Sequence, residues 1–296
     1  MPSINDLQRQ ITTAQTLQSV VKTMKVLAAV SIRQYEQAVE SLAEYTQTIE
    51  MGLQVVLREN QLESSDIKNN NLENFGKSRL GAIILGSDQG MCGQFNEQIA
   101  QYALSKITPL TTAPTILTVG SRVITPLQEA GQTIESSYSM PSSLAGVVSK
   151  VQDILLQIET WRFTGQINQI ILFYNQPLSN TVFEPQTLTL FPLDQKWLKQ
   201  LQERSWPSRT LPIFKMEKQQ LFSALVQQYF FIWLYQAIAA SLASENASRL
   251  TSMQLAQKNI EERLFSLNDQ FQQERQTTIT QEILEIVAGC EALIPS

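Results

Sequence analysis

Histidine is absent from this chain of 296 residues. Its absence removes the side chain best suited to general acid–base work near neutral pH, the Ser-His-Asp and Cys-His arrangements, and nearly all zinc and non-haem iron sites. Cysteine is scarce as well: Cys92 and Cys290 are the only two. They are too few for a disulfide framework and lack the paired spacing of a metal knuckle, so reduced thiols are expected. Positive charge is in short supply, with 22 Lys+Arg against 27 Asp+Glu and a formal net charge of -5. Such a balance argues against a surface built to dock on nucleic acid or anionic lipid, where affinity comes from neutralising phosphates. The first residues, MPSINDLQRQITTAQ, show no charged cap followed by an apolar run, so no signal peptide is expected. What remains is an ordinary globular composition, 43% hydrophobic, long enough for about two folding units.

Helix breakers are missing from both ends. No proline falls between Pro2 and Pro109, and Gly52 is the only glycine between residues 3 and 59, so the first segment is expected to stay helical to residue 59. Every seventh residue from Leu7 is apolar (Leu7, Ala14, Val21, Ala28, Tyr35, Leu42, Ile49, Val56), which is the column of a heptad seam. A companion column (Ile4, Ile11, Leu17, Met24, Ile32, Ala38, Tyr45, Leu53) drifts between neighbouring positions, so the seam is not a perfect zipper. Towards the other end, neither proline nor glycine occurs between Pro212 and Gly289, and Gly289 is placed to end a helix. There Ala239, Ala243, Ala247, Leu250, Met253, Ala256, Ile260, Leu264, Leu267 and Phe271 recur at steps of three and four. At 1.5 Å per residue the two helices would reach roughly 80 Å and 110 Å. Both are too long for a compact domain and are expected to pack on each other.

The middle of the chain has a different texture, with short β-branched runs alternating with helix-like segments, as in an α/β domain. Strands are expected at 80–85, 115–119, 132–136, 167–174 and 182–190, and helices at 94–106, 121–130 and 142–161. The Asn-rich stretch ESSDIKNNNLENFGKSR reads as a mobile linker, and a second loop lies near 202–212. The expected division is 1–59 for the N-terminal helix, 60–212 for the α/β domain including linker 60–79, and 213–296 for the C-terminal helix.

Several motifs invite a chemical reading. Gly76-Lys77-Ser78 resembles the end of a phosphate-binding loop, but Asn71 stands where that loop needs glycine, and the triplet precedes a strand. The run Gly86-Ser87-Asp88-Gln89-Gly90-Met91-Cys92-Gly93 follows the first strand, where doubly wound folds bind phosphates. Its glycine spacing departs from the dinucleotide fingerprint, and a tight turn with Gly90 and Gly93 in special backbone conformations is the preferred reading. Residues 219–244 carry no charge, so the segment could span a membrane; burial on several faces is the better account. Lys22, Lys25 and Arg33 form a basic stripe beside the seam and next to Met24.

Three stretches resemble the gamma subunit of the F-type ATP synthase, its central rotor shaft. Residues 7–33 (LQRQITTAQTLQSVVKTMKVLAAVSIR) resemble its N-terminal helix, including Met24, Lys25, Ala28 and Ala29. Residues 87–96 (SDQGMCGQFN) resemble its SDRGLCGGFN turn, and residues 235–293, with LASENASRLTSMQ and RQTTITQEILEIVAGCEAL, resemble its C-terminal helix. The fold this implies is an antiparallel two-helix coiled coil of the N- and C-terminal helices with an inserted Rossmann-like α/β domain.

By the same resemblance the chain catalyses nothing itself and holds no cofactor and no metal. It would couple ion flow through a membrane sector to ATP synthesis or hydrolysis by rotating in a ring of alpha and beta subunits. The implied partners are that ring, an epsilon subunit and the c ring, with one copy per complex and no nucleic acid. Its place would be the cytoplasmic face of a bacterial inner membrane, as a peripheral protein. Carried over position by position, Met24 would face the beta lever with Lys22 and Lys25 beside it, while Arg249, Arg275, Gln276, Thr280 and Glu282 would make polar contacts with alpha and beta. The apolar tail Ile283, Ile286, Val287 and Leu293 would turn in a collar at the top of the ring. The chain departs from the family at Gln10, Ala14, Gln15, Gln254 and Gln273, where cations are usual, and at WPSRTLPIFKMEK, where the c-ring foot differs. These departures suit a divergent branch and leave proton and sodium coupling both open. The alternatives are a non-catalytic coiled-coil scaffold carrying an α/β module and, further off, a nucleotide-dependent enzyme.

Overall fold

The computed structural model describes residues 3–59, 79–111, 113–164, 167–178, 182–206 and 212–291. Two compact units emerge, one of Met1–Ala28 with Arg249–Ser296 and one of Ala29–Ser248. Helices α1 (Ile4–Ser41) and α7 (Lys218–Glu291) contribute residues to both.

In the first unit the two ends of the chain run antiparallel. Gln18 Nε2 donates to Glu261 Oε1 at 3.4 Å and Lys25 Nζ donates to Gln257 Oε1 at 2.8 Å, so positions rise along one helix as they fall along the other. Leu7, Val21 and Ala28 of the heptad column are buried, as are Met253 and Leu267 of α7. The companion column drifts as its sequence suggests: Leu17 is 52% exposed while neighbouring Gln18 turns towards the pair. A capping box starts α1, with Ser3 Oγ accepting from Asp6 N at 3.2 Å and Asp6 Oδ2 accepting from Ser3 N at 3.3 Å.

The first segment is two helices, α1 and α2 (Ala43–Glu59), where an unbroken one was expected. Between them Leu42 N reaches back only three residues, to Val39 O at 3.2 Å. Ser41 Oγ donates to Ala38 O and Thr46 Oγ1 to Leu42 O; such hydroxyl back-bonding competes with the helical ladder and bends helices without glycine or proline. At the far end α7 begins at Lys218, five residues after the expected start, and runs through Gly289 to Glu291. One glycine costs a helix only about 1 kcal/mol.

The second unit is built on a five-stranded sheet of order β3-β2-β1-β4-β5. Its strands are β1 (Leu80–Leu85), β2 (Thr115–Val119), β3 (Ile134–Tyr138), β4 (Gln169–Pro177) and β5 (Phe183–Phe191). The first four are parallel, and β5 pairs antiparallel to β4. Central β1 is buried at every position, as a strand covered on both faces must be. Ala82, Ile84, Ile171 and Phe173 face α3 (Phe95–Ile107) and α4 (Ile124–Glu129). Ile83, Leu85, Ile170 and Leu172 face the other way, in one core with α5 (Leu144–Phe163) and with Phe230, Leu234, Ile238 and Leu242 of α7.

Helix α6 (Gln195–Glu203) is an element beyond those expected and runs two residues into the loop expected near 202–212. Asp194 caps it by accepting from Lys196 N at 2.8 Å, and Leu201 joins Ile49, Leu53, Leu57 and Ile232 in a small core with α2 and α7. The expected linker up to residue 78, the Gly76-Lys77-Ser78 triplet, residues 207–211 and Leu293 lie outside the described residues.

Candidate partner-contact site and the seat of α7

Length and composition would let α7 cross a membrane, and 28% of its apolar window is buried; continuous burial starts at residue 237, within the second unit. Every residue from 237 to 248 is buried. This seat is lined with small side chains (Ala237, Ala239, Ala240, Ala243, Ala247), and two serines make directed contacts from it. Ser244 Oγ donates to Asn175 O on β4 at 3.1 Å, and Ser248 Oγ donates to Cys92 O in the turn after β1.

That turn is the Gly86–Gly93 run, and its polar groups serve the fold. Ser87 N donates to Asn96 Oδ1 at 2.9 Å, and Asn96 Nδ2 donates to Ser87 Oγ at 2.9 Å. Asp88 accepts from Ser121 N through Oδ1 at 2.8 Å and from Met140 N through Oδ2 at 2.7 Å, tying together the chain ends that leave β1, β2 and β3. The left-handed residues are Met91 (φ 60°) and Gly93 (φ 58°), so Gly93 plays the expected part and Gly90 does not. A side chain at Gly90 would instead meet the Arg122 guanidinium at 3.3 Å. Gly86 is the closest approach, since a Cβ there would lie 2.6 Å from Val123 Cβ; at Gly120 (φ 105°) one would lie 2.7 Å from Ser87 N.

The residues carried over from the resemblance fall into separate groups. Lys22 is exposed and Met24 half-buried on the same turn of α1. Lys25 is half-buried, and its ammonium is engaged with Gln257 across the helix pair. Arg275, Gln276, Thr280 and Glu282 are exposed on α7 well beyond Glu261, with Thr280 Oγ1 donating to Gln276 O at 2.8 Å. Arg249 differs from all of them in being buried, at 6% exposure. Ile279, Ile283, Leu284, Ile286 and Val287 stand exposed near the end of α7. Among the described residues no group of His, Cys, Asp or Glu is placed to hold a metal ion.

Sequence reasoning gave no role to Asp88, Ser244 or Ser248. For the serines the available signal was a pair spaced by four in an alanine-rich helical stretch, a spacing that puts both hydroxyls on one face.

Comparison with known proteins agrees with this architecture. The chain is similar to the ATP synthase gamma chains of Buchnera aphidicola (26% identical, 99% of this chain and 99% of the relative) and of a Nostoc species (26% identical, 99% and 100%). Its fold matches a chain in the Euglena gracilis mitochondrial ATP synthase OSCP/F1/c-ring structure, at TM-score 0.69 and 16% identity over 98% of this chain and 94% of that one. It also matches one in the central stalk and c ring of the Tetrahymena thermophila enzyme, at TM-score 0.55 and 19% identity over 80% and 99%. A family profile described as ATP synthase matches residues 3–293, and the chain belongs to that family.

Proposed function

We propose that this chain is the rotating central shaft of an F-type ATP synthase, one copy per complex. It would transmit torque between a membrane-embedded c ring and a ring of alternating alpha and beta subunits, with an epsilon subunit as a further partner on the cytoplasmic face of a bacterial membrane. The observation that carries this reading is the antiparallel pairing of the chain's two ends, fixed by Lys25 with Gln257 and Gln18 with Glu261 over a buried heptad column. Such a pair is asymmetric in cross-section. Turned inside a threefold ring, it presents a different face to each beta subunit and shifts that subunit's nucleotide state only through differential contacts. Apolar side chains left outside the pair, including Val26, Leu27 and Phe265, suit a helix surface that works against partners.

Co-expression with the alpha and beta subunits of the same organism tests the reading. A three-plus-three ring should co-purify with one copy of this chain, and ATPase activity should depend on it; a stable homodimer that ignores the ring overturns it. Within the assembled complex, Met24→Lys places a charge beside Lys22 and Lys25 and should lower ion pumping per ATP more than it lowers assembly. Equal coupling in vesicles would remove Met24 from the contact.

A further inference from the structure

We infer that Ser244 and Ser248 are positioning residues that fix the rotational angle of α7 in its seat within the second unit, so that torque enters the helix without slip. This rests on the rotary reading above. The two serines lie one turn apart, and at 100° per residue their hydroxyls sit about 40° apart on the helix. The acceptors belong to separate segments of the α/β unit, β4 and the turn after β1.

The Asn175 carbonyl depends on this contact. Asn175 lies beyond the last register pair of β4 with β1, Ile84 with Phe173, and its partner across β5 is Pro185, which has no N–H to give. The next two backbone donors after β1 are committed elsewhere, Gly86 N to Val119 O at 2.7 Å and Ser87 N to Asn96 Oδ1. The Ser244 hydroxyl supplies the bond that neither neighbouring strand does.

Around these bonds the seat holds Ala239, Ala240, Ala243 and Ala247, whose small side chains resist turning little, beside Ile238 and Leu242, which pack into the core shared with α5. Hydrogen bonds weaken steeply with misalignment, so two of them on one face add a sharp angular restraint to the packing of Ile238 and Leu242. Ser241, on the same face, provides an internal control, since its hydroxyl is fully buried and makes no hydrogen bond.

The experiment uses the complete complex in vesicles and compares Ser244→Ala/Ser248→Ala with Ser241→Ala. Each serine change removes the same atom. The double variant should hydrolyse ATP at the normal rate without load, build a smaller ion gradient per ATP, and about double the angular variance of a bead on the stalled rotor, as side-chain packing is left to hold the angle without the two directed bonds. Ser241→Ala should match the unaltered complex in all three. A double variant that melts lower but equals Ser241→Ala in gradient and bead variance overturns the inference and leaves the serines merely structural. Where the double variant fails to assemble, each single variant is read the same way with smaller effects; failure of both singles while Ser241→Ala assembles also overturns it. An unaltered chain that does not join the ring sinks the rotary reading itself, before any variant is made.

Discussion

The two units bury their residues by opposite strategies. In the α/β unit, β1 is buried at every position and α7 is buried continuously from 237 to 248, so each side chain there has neighbours on several sides. In the helix-pair unit α7 buries only isolated positions such as Met253 and Leu267 and leaves Leu255, Phe265, Ile283 and Ile286 outside. One helix therefore lives in two environments, and its composition shifts with them: no charge from 219 to 244, the buried Glu245 and Arg249 at the join, then Lys258, Glu261, Glu262 and Arg263. The difference separates residues whose apolarity makes the fold from those whose apolarity is offered outward.

Truncating α7 once in each environment gives the largest expected contrast. Ile238 is fully buried in the core shared with Leu85, Leu117 and Leu172, and Ile238→Ala should destabilise by about 2–5 kcal/mol through lost transfer energy plus a cavity. Ile283→Ala, at a side chain 54% exposed, should change stability by less than about 0.5 kcal/mol. Urea titration of both variants checks this. Equal losses would mean that the end of α7 is packed as tightly as its seat.

Next in size is Asp88, in the turn after β1. Its two oxygens accept from Ser121 N and Met140 N, and Asp88→Ala strands both donors where the chain leaves β2 and β3. A loss of about 1.5–3 kcal/mol is expected, the range of charge-assisted bonds. Asp88→Asn keeps one acceptor oxygen and should recover part of it in the same titration.

What the sequence revealed follows the same division. Strands β1 and β2 match their expected limits because a continuous apolar run of five or six residues between polar turns has one sensible ending. The heptad column from Leu7 to Val56 is buried at every position except the half-buried Ala14 and Leu42, since periodicity over eight steps is hard to mistake. The break at Leu42 was hidden because neither glycine nor proline marks it, and the hydroxyl back-bonds beside it also occur in unbroken turns of α1. Helix α6 was hidden because nine residues give too few turns for a clear period, although Asp194 was a legible cap. The contacts of Ser244 and Ser248 span 69 and 156 residues of sequence. No local pattern reports such partners, and the turn that receives Ser248 looks like a phosphate site until its own bonds are counted.

A smaller effect separates the units at high pH. Tyr229 stacks on Trp197 with ring centroids 4.6 Å apart, and burial pushes its phenol up to about 12. The folded state therefore prefers the neutral phenol. The stability this gives is complete below the ordinary tyrosine value near 10 and is lost as pH rises from about 10 to about 12. Phenolate absorbance should show this tyrosine titrating last, and Tyr229→Phe should flatten the alkaline loss of stability between those limits. A profile unchanged by the substitution would assign the loss to other groups.

The smallest effect belongs to the helix pair, at the first turn of α1. Ser3 hydrogen-bonds the Asp6 carboxylate through its hydroxyl at 2.7 Å and through its backbone N–H, and these bonds, with a lesser contribution from Arg9, hold the carboxyl below its usual value. A depressed carboxyl contributes its stability above the unfolded value near 4 and loses it as pH falls through the folded one. The side chain is fully exposed, so the contribution is fraying resistance at one helix end and not global stability. Amide exchange at residues 4–7 should accelerate in Asp6→Asn at neutral pH, and in the unaltered chain only when acid protonates Asp6. Exchange within the α/β unit should not respond to the substitution. If the first turn exchanges equally fast in the unaltered chain and in Asp6→Asn, then packing against α7, and not the cap, orders the start of the helix.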